Sequence, residues 1–271
     1  MPIHDMWPTG FTTKLDFTLC KVGKNLWLAW TDAEGGVQLA HSQPPASGKI
    51  VWTLKDEVAA GVTTGPSIVM GSEGYLTGIV VAYGNAKGNV EVIQIDGGYQ
   101  NTLDDTTSQR PSLAWWTARL WIAWTGDDGH LHTAFASEKL EFGNLKTYDD
   151  DTSFASPGLG GNEVNLTLGW TGTNDRRSVF IADVDADGDL HMKELDDDDG
   201  SATGVAVSGS PETIATWASA DHANQICIAT NPLQYDAKFT RDPLTSNVTP
   251  FLSGGFIAYT DANDEIWVGR F

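Results

Sequence analysis

One pattern recurs six times along the chain, and it constrains the fold more than any other feature of the sequence. Each copy is a strand-like run with an aromatic residue preceded by a small one. The aromatic marker positions are Trp30, Tyr83, Trp124, Trp170, Trp217 and Tyr259. The small residues before them are Ala29, Ala82, Ala123, Gly169, Thr216 and Ala258. Adjacent markers lie 41 to 53 residues apart, a spacing typical of β-propeller blades.

The alternation of large and small side chains indicates how these strands stack. Neighbouring side chains of a strand point to opposite faces, so each predicted strand has one bulky face and one nearly flat face. A bulky residue on one sheet can fill the space left by a small residue on the next sheet. We therefore predict an all-β fold, a six-bladed β-propeller, in a single domain spanning residues 1–271.

Each repeat contains four predicted strands, named A to D here. Strand A often begins at a proline, as in residues 110–114, and strand B carries the marker. A turn rich in Gly, Asp and Asn leads to strand C, and strand D completes the four-stranded blade. The sixth repeat ends at strand C, whereas residues 2–7 precede the first strand A at the distance expected of a strand D. The N-terminal strand is therefore predicted to complete the last blade and close the ring.

The same topology places the D–A connections and the B–C turns on one face of the ring. These segments are rich in Asp, Thr, Ser and Asn, as in residues 103–111, 148–157, 195–204 and 239–250. Short polar side chains of this kind cap strand ends and form Asx turns. They also provide the donors and acceptors that a hydroxyl-rich ligand requires. The sequence leaves both interpretations open.

Several tryptophans lie outside the marker positions, namely Trp7, Trp52, Trp115, Trp116 and Trp267. A tryptophan that the repeat does not require can fill the core of one blade, or it can offer a flat face to a sugar ring. Trp52 and Trp115, the latter expected in an A–B turn, are the best candidates for exposed rings.

The third repeat combines P-S-L-A at 111–114 with L-W-I-A-W-T-G at 120–126, followed by D-G and another strand. This combination resembles the repeats of bacterial and fungal lectin-like β-propellers. The resemblance implies a non-catalytic, multivalent carbohydrate-binding protein whose partners are glycans. It also implies pockets between or on blades that combine an aromatic residue with Arg, Asp, Asn or Glu. The candidate ligand-binding residues are Trp52, Trp115, Trp116, Asp105, Arg110, Asp127 and Asp150.

Two other functions stay open. The sequence has no G-x-S-x-G elbow, P-loop, H-E-x-x-H motif or cysteine zinc site. Two carboxylates could still meet in the central channel and cleave a glycosidic bond. His130 and His132 alternate on one strand, but they lack a clear third metal ligand. The remaining alternative is a protein-binding scaffold.

An acidic segment in the fourth repeat matches the calcium-loop pattern D-x-[DN]-x-[DN]-G-x5-E. The predicted calcium ligands are Asp183, Asp185, Asp187, Asp189 and Glu194. The flanking segments are predicted strands rather than helices, and D-A-D-G is also a good hairpin turn. The segment is therefore either a calcium site or the C–D hairpin of the fourth blade.

The charge and the apolar pattern exclude several partners. The formal net charge of −20 repels phosphate backbones and anionic lipids, which argues against nucleic acid and membrane surfaces. The sequence contains no run of about 18 apolar residues, so we do not expect it to insert into a membrane. The first ten residues lack a basic start followed by an apolar run, so no signal peptide is visible. We expect a soluble protein that is either cytoplasmic or secreted by a non-standard route. Cys20 and Cys227 are expected to be free buried thiols.

Overall fold

The computed structural model describes residues 3–43, 50–55, 57–73, 76–136, 138–195, 200–209, 212–234 and 237–271, with the backbone alone at 72, 73, 76 and 192–194. All regular elements in these ranges are β-strands, arranged as six four-stranded sheets. None of the described segments forms a helix of the length and apolarity needed to cross a membrane. The predicted all-β class is confirmed.

Blades 1 to 3 follow the chain in order, and in each the first strand is the innermost and the fourth the outermost. Blade 1 consists of β2 (Thr18–Val22), β3 (Asn25–Thr31), β4 (Val37–Ser42) and β5 (Thr53–Leu54). Blade 2 consists of β6 (Ser67–Glu73), β7 (Leu76–Gly84), β8 (Asn89–Gln94) and β9 (Gln100–Thr106). Blade 3 consists of β10 (Ser112–Trp116), β11 (Arg119–Thr125), β12 (His130–Ala136) and β13 (Phe142–Thr152).

Blades 4 to 6 complete the ring. Blade 4 consists of β14 (Gly158–Gly161), β15 (Leu166–Thr171), β16 (Val179–Val184) and β17 (Leu190–Glu194). Blade 5 consists of β18 (Ala206–Ser208), β19 (Ile214–Ala218), β20 (Gln225–Thr230) and β21 (Lys238–Thr245). Blade 6 consists of β22 (Phe251–Ser253), β23 (Phe256–Thr260), β24 (Glu265–Arg270) and β1 (His4–Thr12). Each innermost strand contacts that of the next blade, and β22 contacts β2, which confirms a closed six-bladed propeller.

The N-terminal strand closes the ring, as the sequence predicts. β1 pairs antiparallel with β24, and Trp7 lies opposite Val268. The Trp7 ring is buried in a cluster that also contains Val268 of blade 6 and Leu19 of blade 1. The last blade therefore joins both ends of the chain and has no unpaired outer edge at β24.

The marker residues pack as the alternation of large and small side chains predicts. All six are buried, and four of them share a core cluster with the small residue of the preceding blade. These pairs are Trp30 with Ala258, Tyr83 with Ala29, Trp124 with Ala82, and Trp170 with Ala123. The hydrophobic core is therefore a series of inter-blade layers around the ring.

Hydrogen bonds from buried threonines link the B strands to the D–A loops of the following blade. Thr31 Oγ1 donates to the Thr64 carbonyl at 2.9 Å, and Thr171 Oγ1 donates to the Thr203 carbonyl at 2.8 Å. The equivalent bond from Thr125 reaches the Ala155 carbonyl at 3.0 Å. These bonds fix the polar loops at the mouth of the channel.

The blade interface leaves no space at Gly169, which gives a test with a matched control. A Cβ atom at Gly169 would lie 2.8 Å from Val205 Cγ1 and 2.9 Å from Ile181 Cδ1. We expect Gly169→Ala to lower the free energy of unfolding by about 1–3 kcal/mol, because added atoms overpack the core. The control is Gly143→Ala, since a Cβ at Gly143 meets nothing within 4 Å. Equal urea midpoints for the two variants would contradict the packing.

Ring closure gives a second test. Trp7→Ala should lower the free energy of unfolding by about 3–5 kcal/mol, because it removes a large buried side chain between blades 6 and 1. Leu145→Ala is the control: Leu145 is 62% exposed on the outer strand β13, so its loss should change stability by no more than about 0.5 kcal/mol. Denaturant unfolding of both variants measures the difference, and a wild-type value for Trp7→Ala would contradict a stabilising role of the closure.

Candidate functional site

The junctions between neighbouring blades, here called seams and numbered by their two blades, have a common backbone but different side chains. At each seam, the marker of one blade lies next to its cross-strand partner on the third strand of the same blade. These pairs are Trp30–Gln38, Tyr83–Glu91, Trp124–His132, Trp170–Phe180, Trp217–Cys227 and Tyr259–Trp267. The partner residue changes from amide to carboxylate, imidazole, thiol or aromatic ring, so the seams are not chemically equivalent.

Seam 1/2 contains an open polar cavity of about 570 Å³. Glu91 is its central acceptor: Tyr83 donates its hydroxyl to Oε1 at 3.1 Å, and Asn85 donates its amide to Oε2 at 3.0 Å. The Gln100 side-chain amide also donates to Oε1. Burial raises the pKa of Tyr83 well above its ordinary value, and Glu91 adds to that shift. The Tyr83 hydroxyl therefore stays a donor throughout the physiological pH range.

Seam 2/3 is polar as well, and it is built across the two blades. Trp124 Nε1 donates to Asp105 Oδ2 of the preceding blade at 2.9 Å. The His132 ring stacks on Trp124, with 5.3 Å between the ring centroids and an angle of 10° between the planes. This arrangement combines an aromatic ring, an imidazole and a carboxylate at one junction.

His132 lies between two carboxylates in this seam. Its Nδ1 is 3.1 Å from Thr147 Oγ1 and 3.5 Å from Asp105 Oδ2, and its Nε2 is 3.5 Å from Asp128 Oδ1. Slight burial raises the pKa of Asp128, but the His130 N–H and the His132 ring outweigh that effect and lower it. Asp128 therefore carries a negative charge at the open end of the seam.

Three other seams are covered by apolar side chains. Phe11 stacks on Trp30 at seam 6/1, with 4.3 Å between the centroids. Phe180 stacks on Trp170 at seam 3/4, at 5.4 Å. At seam 5/6, Leu244 packs in the cluster of Tyr259. At seam 4/5, Trp217 packs in a cluster with Val179 and Leu195 of blade 4.

The three predicted tryptophans lie at separate places. Trp52 is half-buried against Phe11 in an edge contact of 6.4 Å, and Trp116 is 9% exposed in the core between blades 3 and 4. The expectation that Trp115 lies in an A–B turn is wrong: Trp115 is part of strand β10, and its side chain is half-buried. Strand A extends further here because the turn lies at Thr117 and Ala118, which both have positive φ. Sugar binding by these rings stays a prediction.

The predicted polar residues are only partly brought together. Asp105 and Asp127 lie at seam 2/3, where the Asp127 N–H donates to the Thr106 carbonyl at 3.2 Å. Asp150 is exposed on β13. Arg110 is fully buried near the ring axis, where its Nε is 3.7 Å from Asp16 Oδ2. Their roles in ligand binding stay predictions.

An acidic residue lies at the mouth of the channel. Among the described residues, Asp16 is the only acidic side chain that lines the cavity at this mouth. Burial lowers the pKa of Arg110 below its ordinary value, and Asp16 works against that shift. Glycoside hydrolysis of the usual kind requires two carboxyl groups flanking the bond. The described channel mouth provides one, and Arg110 already neutralises it.

The acidic segment of blade 4 contains a five-residue hairpin turn that four other sites share. In each turn the first N–H donates to the fifth carbonyl, and the fourth N–H donates to the first carbonyl. The turns are 32–36, 85–89, 126–130, 185–189 and 261–265. Gly188, at the fourth position, has φ +81°, a conformation that favours glycine. The glycine of the calcium motif is therefore also the residue that this hairpin turn requires.

Three of the five predicted calcium ligands, Asp183, Asp185 and Asp189, have partners within the protein. Asp185 Oδ1 accepts the N–H groups of Asp187 and Asp189, and Asp189 pairs with Lys146. Asp183 lies on strand β16 and accepts a hydrogen bond from Thr167. No group of three or more His, Cys, Asp or Glu side chains suited to a metal occurs among the described residues. The side chain of Glu194 lies outside them, and calcium binding stays a prediction that the described geometry does not favour.

Solved structures of other proteins share this architecture. No protein-family model matches the sequence, and a search of curated proteins finds no match. The fungal lectin of Aleuria aurantia, described as a six-bladed β-propeller, is 13% identical, with 96% of this chain and 92% of that chain covered and a TM-score of 0.67. The chain is similar in fold to a lectin propeller. At this identity the similarity shows the fold alone.

Other similar structures do not share a single function. A protein of unknown function from Dyadobacter fermentans is 11% identical over 97% of this chain and 96% of that chain, with a TM-score of 0.67. A neuraminidase-like protein of a flat-faced bat isolate from Peru is also 11% identical, over 100% and 95%, with a TM-score of 0.57. The side chains of the seams and the channel, rather than the fold, therefore indicate the function.

Glu91, His132 and Asp128 are seam residues that the sequence interpretation did not propose as sugar ligands. A usable signal was present, because Glu91 and His132 occupy the third-strand position paired with the marker. If the repeats are aligned and the third-strand position opposite each marker is compared, both residues are identified. The tryptophans outside the repeat do not lead to them.

The hairpin gives a test of calcium binding. We expect the melting temperature to be the same in chelator and in millimolar CaCl2, because the turn is already closed by its own hydrogen bonds. A site that bound only the native state would add about 2.7 kcal/mol at a hundredfold excess of calcium over Kd. A rise of several degrees that Asp187→Asn abolishes would establish the calcium site instead. Differential scanning calorimetry provides the measurement.

Proposed function

We propose that this protein is a non-catalytic carbohydrate-binding protein that binds neutral glycans at its polar seams. The observation that carries the proposal is the cavity of about 570 Å³ at seam 1/2, lined by Tyr83, Glu91 and Gln100. A ring of donors around one carboxylate suits sugar hydroxyls, because each hydroxyl both donates and accepts. The cavity is also large enough for a small ligand.

Similar solved structures support the same ligand class. The Aleuria aurantia lectin is described with a fucose recognition mode, and a variant of it is described in complex with α-methyl-L-fucoside. Seam 2/3 gives independent support, since it places Asp105 and Asp128 beside the Trp124–His132 stack. Two neighbouring polar seams would bind a branched or repeating glycan with avidity.

Charge narrows the glycan class within this proposal. The chain carries a formal net charge of −20, and both polar seams are centred on carboxylates. Sialylated or sulfated glycans would be repelled at close range. Neutral glycans, which contact these carboxylates through hydroxyl groups, are therefore the expected partners.

A glycan array followed by a reducing-sugar assay tests the proposal. We expect binding to neutral glycans, weaker signals for their sialylated forms, and no release of reducing sugar from the bound glycans. Release of sugar would favour a glycoside-cleaving enzyme. Silence in both assays would favour a protein-binding scaffold and reject the proposal.

A variant of seam 1/2 makes the test local. Glu91→Ala should weaken glycan binding about tenfold or more, the equivalent of about 1.4 kcal/mol, because it removes the central acceptor. Gln38→Ala is the matched control, since Gln38 has the same strand position at seam 6/1, where Phe11 covers the marker ring. Titration calorimetry with the best array glycan gives both affinities. Equal losses in the two variants would show that seam 1/2 is not the binding site.

A further inference from the structure

A second cavity, of about 340 Å³, lies in seam 1/2 near the end of strand β8. Blades 1 and 2 both line it, and the side chains of its walls are Trp27, Leu39, Val58, Ile79 and Ile95. All five are apolar or aromatic, and they belong to, or pack against, the hydrophobic cluster between the two blades. The interior of this cavity therefore suits an apolar group.

The apolar cavity continues the polar cavity of the same seam. Glu91, Ile93 and Ile95 alternate along the third strand of blade 2, so their side chains lie on the same face of that strand. Glu91 and Ile93 line the polar cavity, Ile95 lines the apolar cavity, and Val58 of blade 1 lines both. Four residues of a strand span about 13 Å. One small molecule with a polar end and an apolar end can therefore occupy both cavities.

Charged side chains form the rim of the apolar cavity. Lys55, Glu57 and Asp96 are exposed there, and the Lys55 ammonium lies 5.9 Å from the Trp27 ring centroid. These charges stay in water, because an unpaired charge in an apolar interior is strongly unfavourable. Sugar hydroxyls would also lose hydrogen bonds to water between the apolar walls. The interior therefore favours an uncharged alkyl chain over a second sugar ring.

Seam 2/3 does not continue in the same way. On the same face of β12, His132 is followed by Ala134 and Ala136, where the equivalent strand of blade 2 has two isoleucines. Both alanines are buried, with exposed fractions of 2% and 0%. They therefore offer a ligand almost no apolar surface, and the apolar extension belongs to seam 1/2 rather than to the repeat.

We propose that seam 1/2 binds a neutral glycoside that carries an alkyl chain, with the sugar in the polar cavity and the chain in the apolar cavity. This inference rests on the proposed function, in which the sugar hydroxyls contact Glu91 and Gln100. The chain passes Val58 and lies between Trp27 and Ile95. Its binding removes apolar surface of both partners from water, which stabilises the complex. The seam thereby selects among glycosides of one sugar by the group attached to that sugar.

Calorimetric titration with methyl and n-octyl glycosides of glucose, galactose, mannose and fucose tests the proposal. The octyl glycosides are used below the concentration at which they form micelles. For each sugar that binds, the octyl glycoside should bind one site per chain at least about tenfold more tightly than the methyl glycoside, because several methylene groups leave water. Octanol, which has the chain without the sugar, should bind at least about tenfold more weakly than the octyl glycoside.

Variants of the two cavities locate the chain. Ile95→Ser and Val58→Ser should each reduce the preference for octyl over methyl about threefold or more and leave the affinity for the methyl glycoside unchanged, because each places a hydroxyl in the apolar wall. Ile214→Ser is the matched control, since Ile214 is also half-buried but packs between blades 5 and 6. It should keep the full preference. Glu91→Ala should weaken the octyl glycoside about tenfold or more, because the sugar loses its acceptor.

The possible results separate this inference from the proposed function. Equal affinities for methyl and octyl glycosides overturn the apolar site and leave sugar binding at the seams in place. A preference for octyl that both serine variants of the cavity retain, or that Ile214→Ser loses equally, also overturns the apolar site alone. An octyl affinity that Glu91→Ala leaves unchanged shows that the chain binds without the sugar, and it overturns the joint use of the two cavities. No binding of any glycoside, together with a silent glycan array, overturns both proposals.

Discussion

The packing of an aromatic ring against a small side chain on the next blade is the interaction on which the rest of the structure depends. It recurs at Trp30, Tyr83, Trp124 and Trp170, which share clusters with the alanine of the preceding blade. Sheets packed face to face must interdigitate their side chains to reach the density of a protein core. One large and one flat face per strand meet that requirement repeatedly, so the same contact builds four of the six layers of the ring.

This repeated packing leaves the outer part of each seam free to vary. The residue paired with the marker on the third strand does not determine the blade interface, and it is Glu91 in one blade, His132 in the next and Phe180 in the following one. Aromatic covering at Trp30 and Trp170 and polar groups around Tyr83 and Trp124 therefore coexist on one scaffold. Function on such a fold depends on a few side chains, whereas stability depends on the repeat.

The axis is the one place where the six repeats meet, and its chemistry is not repeated. A fully buried arginine requires a compensating charge, because an isolated buried ion is strongly unfavourable. Asp16 of blade 1 provides that charge to Arg110 of blade 3, so the pair connects blades that are not neighbours. The same pair places Asp16, the one acidic side chain among the described lining residues of the channel mouth, beside a guanidinium.

Local pattern in the sequence determined the blade count, the strand that carries each marker and the N-terminal closure, because strand alternation and repeat length are properties of short segments. The calcium-like motif shows the limit of such patterns: the five-residue turn, with Gly188 at positive φ, accounts for its glycine without a metal. Only the tertiary structure decided that Asp105 reaches Trp124 of the next blade and that Arg110 lies on the axis beside Asp16. These contacts join residues 19 and 94 positions apart, and curvature of the closed ring brings them together, which no local period encodes.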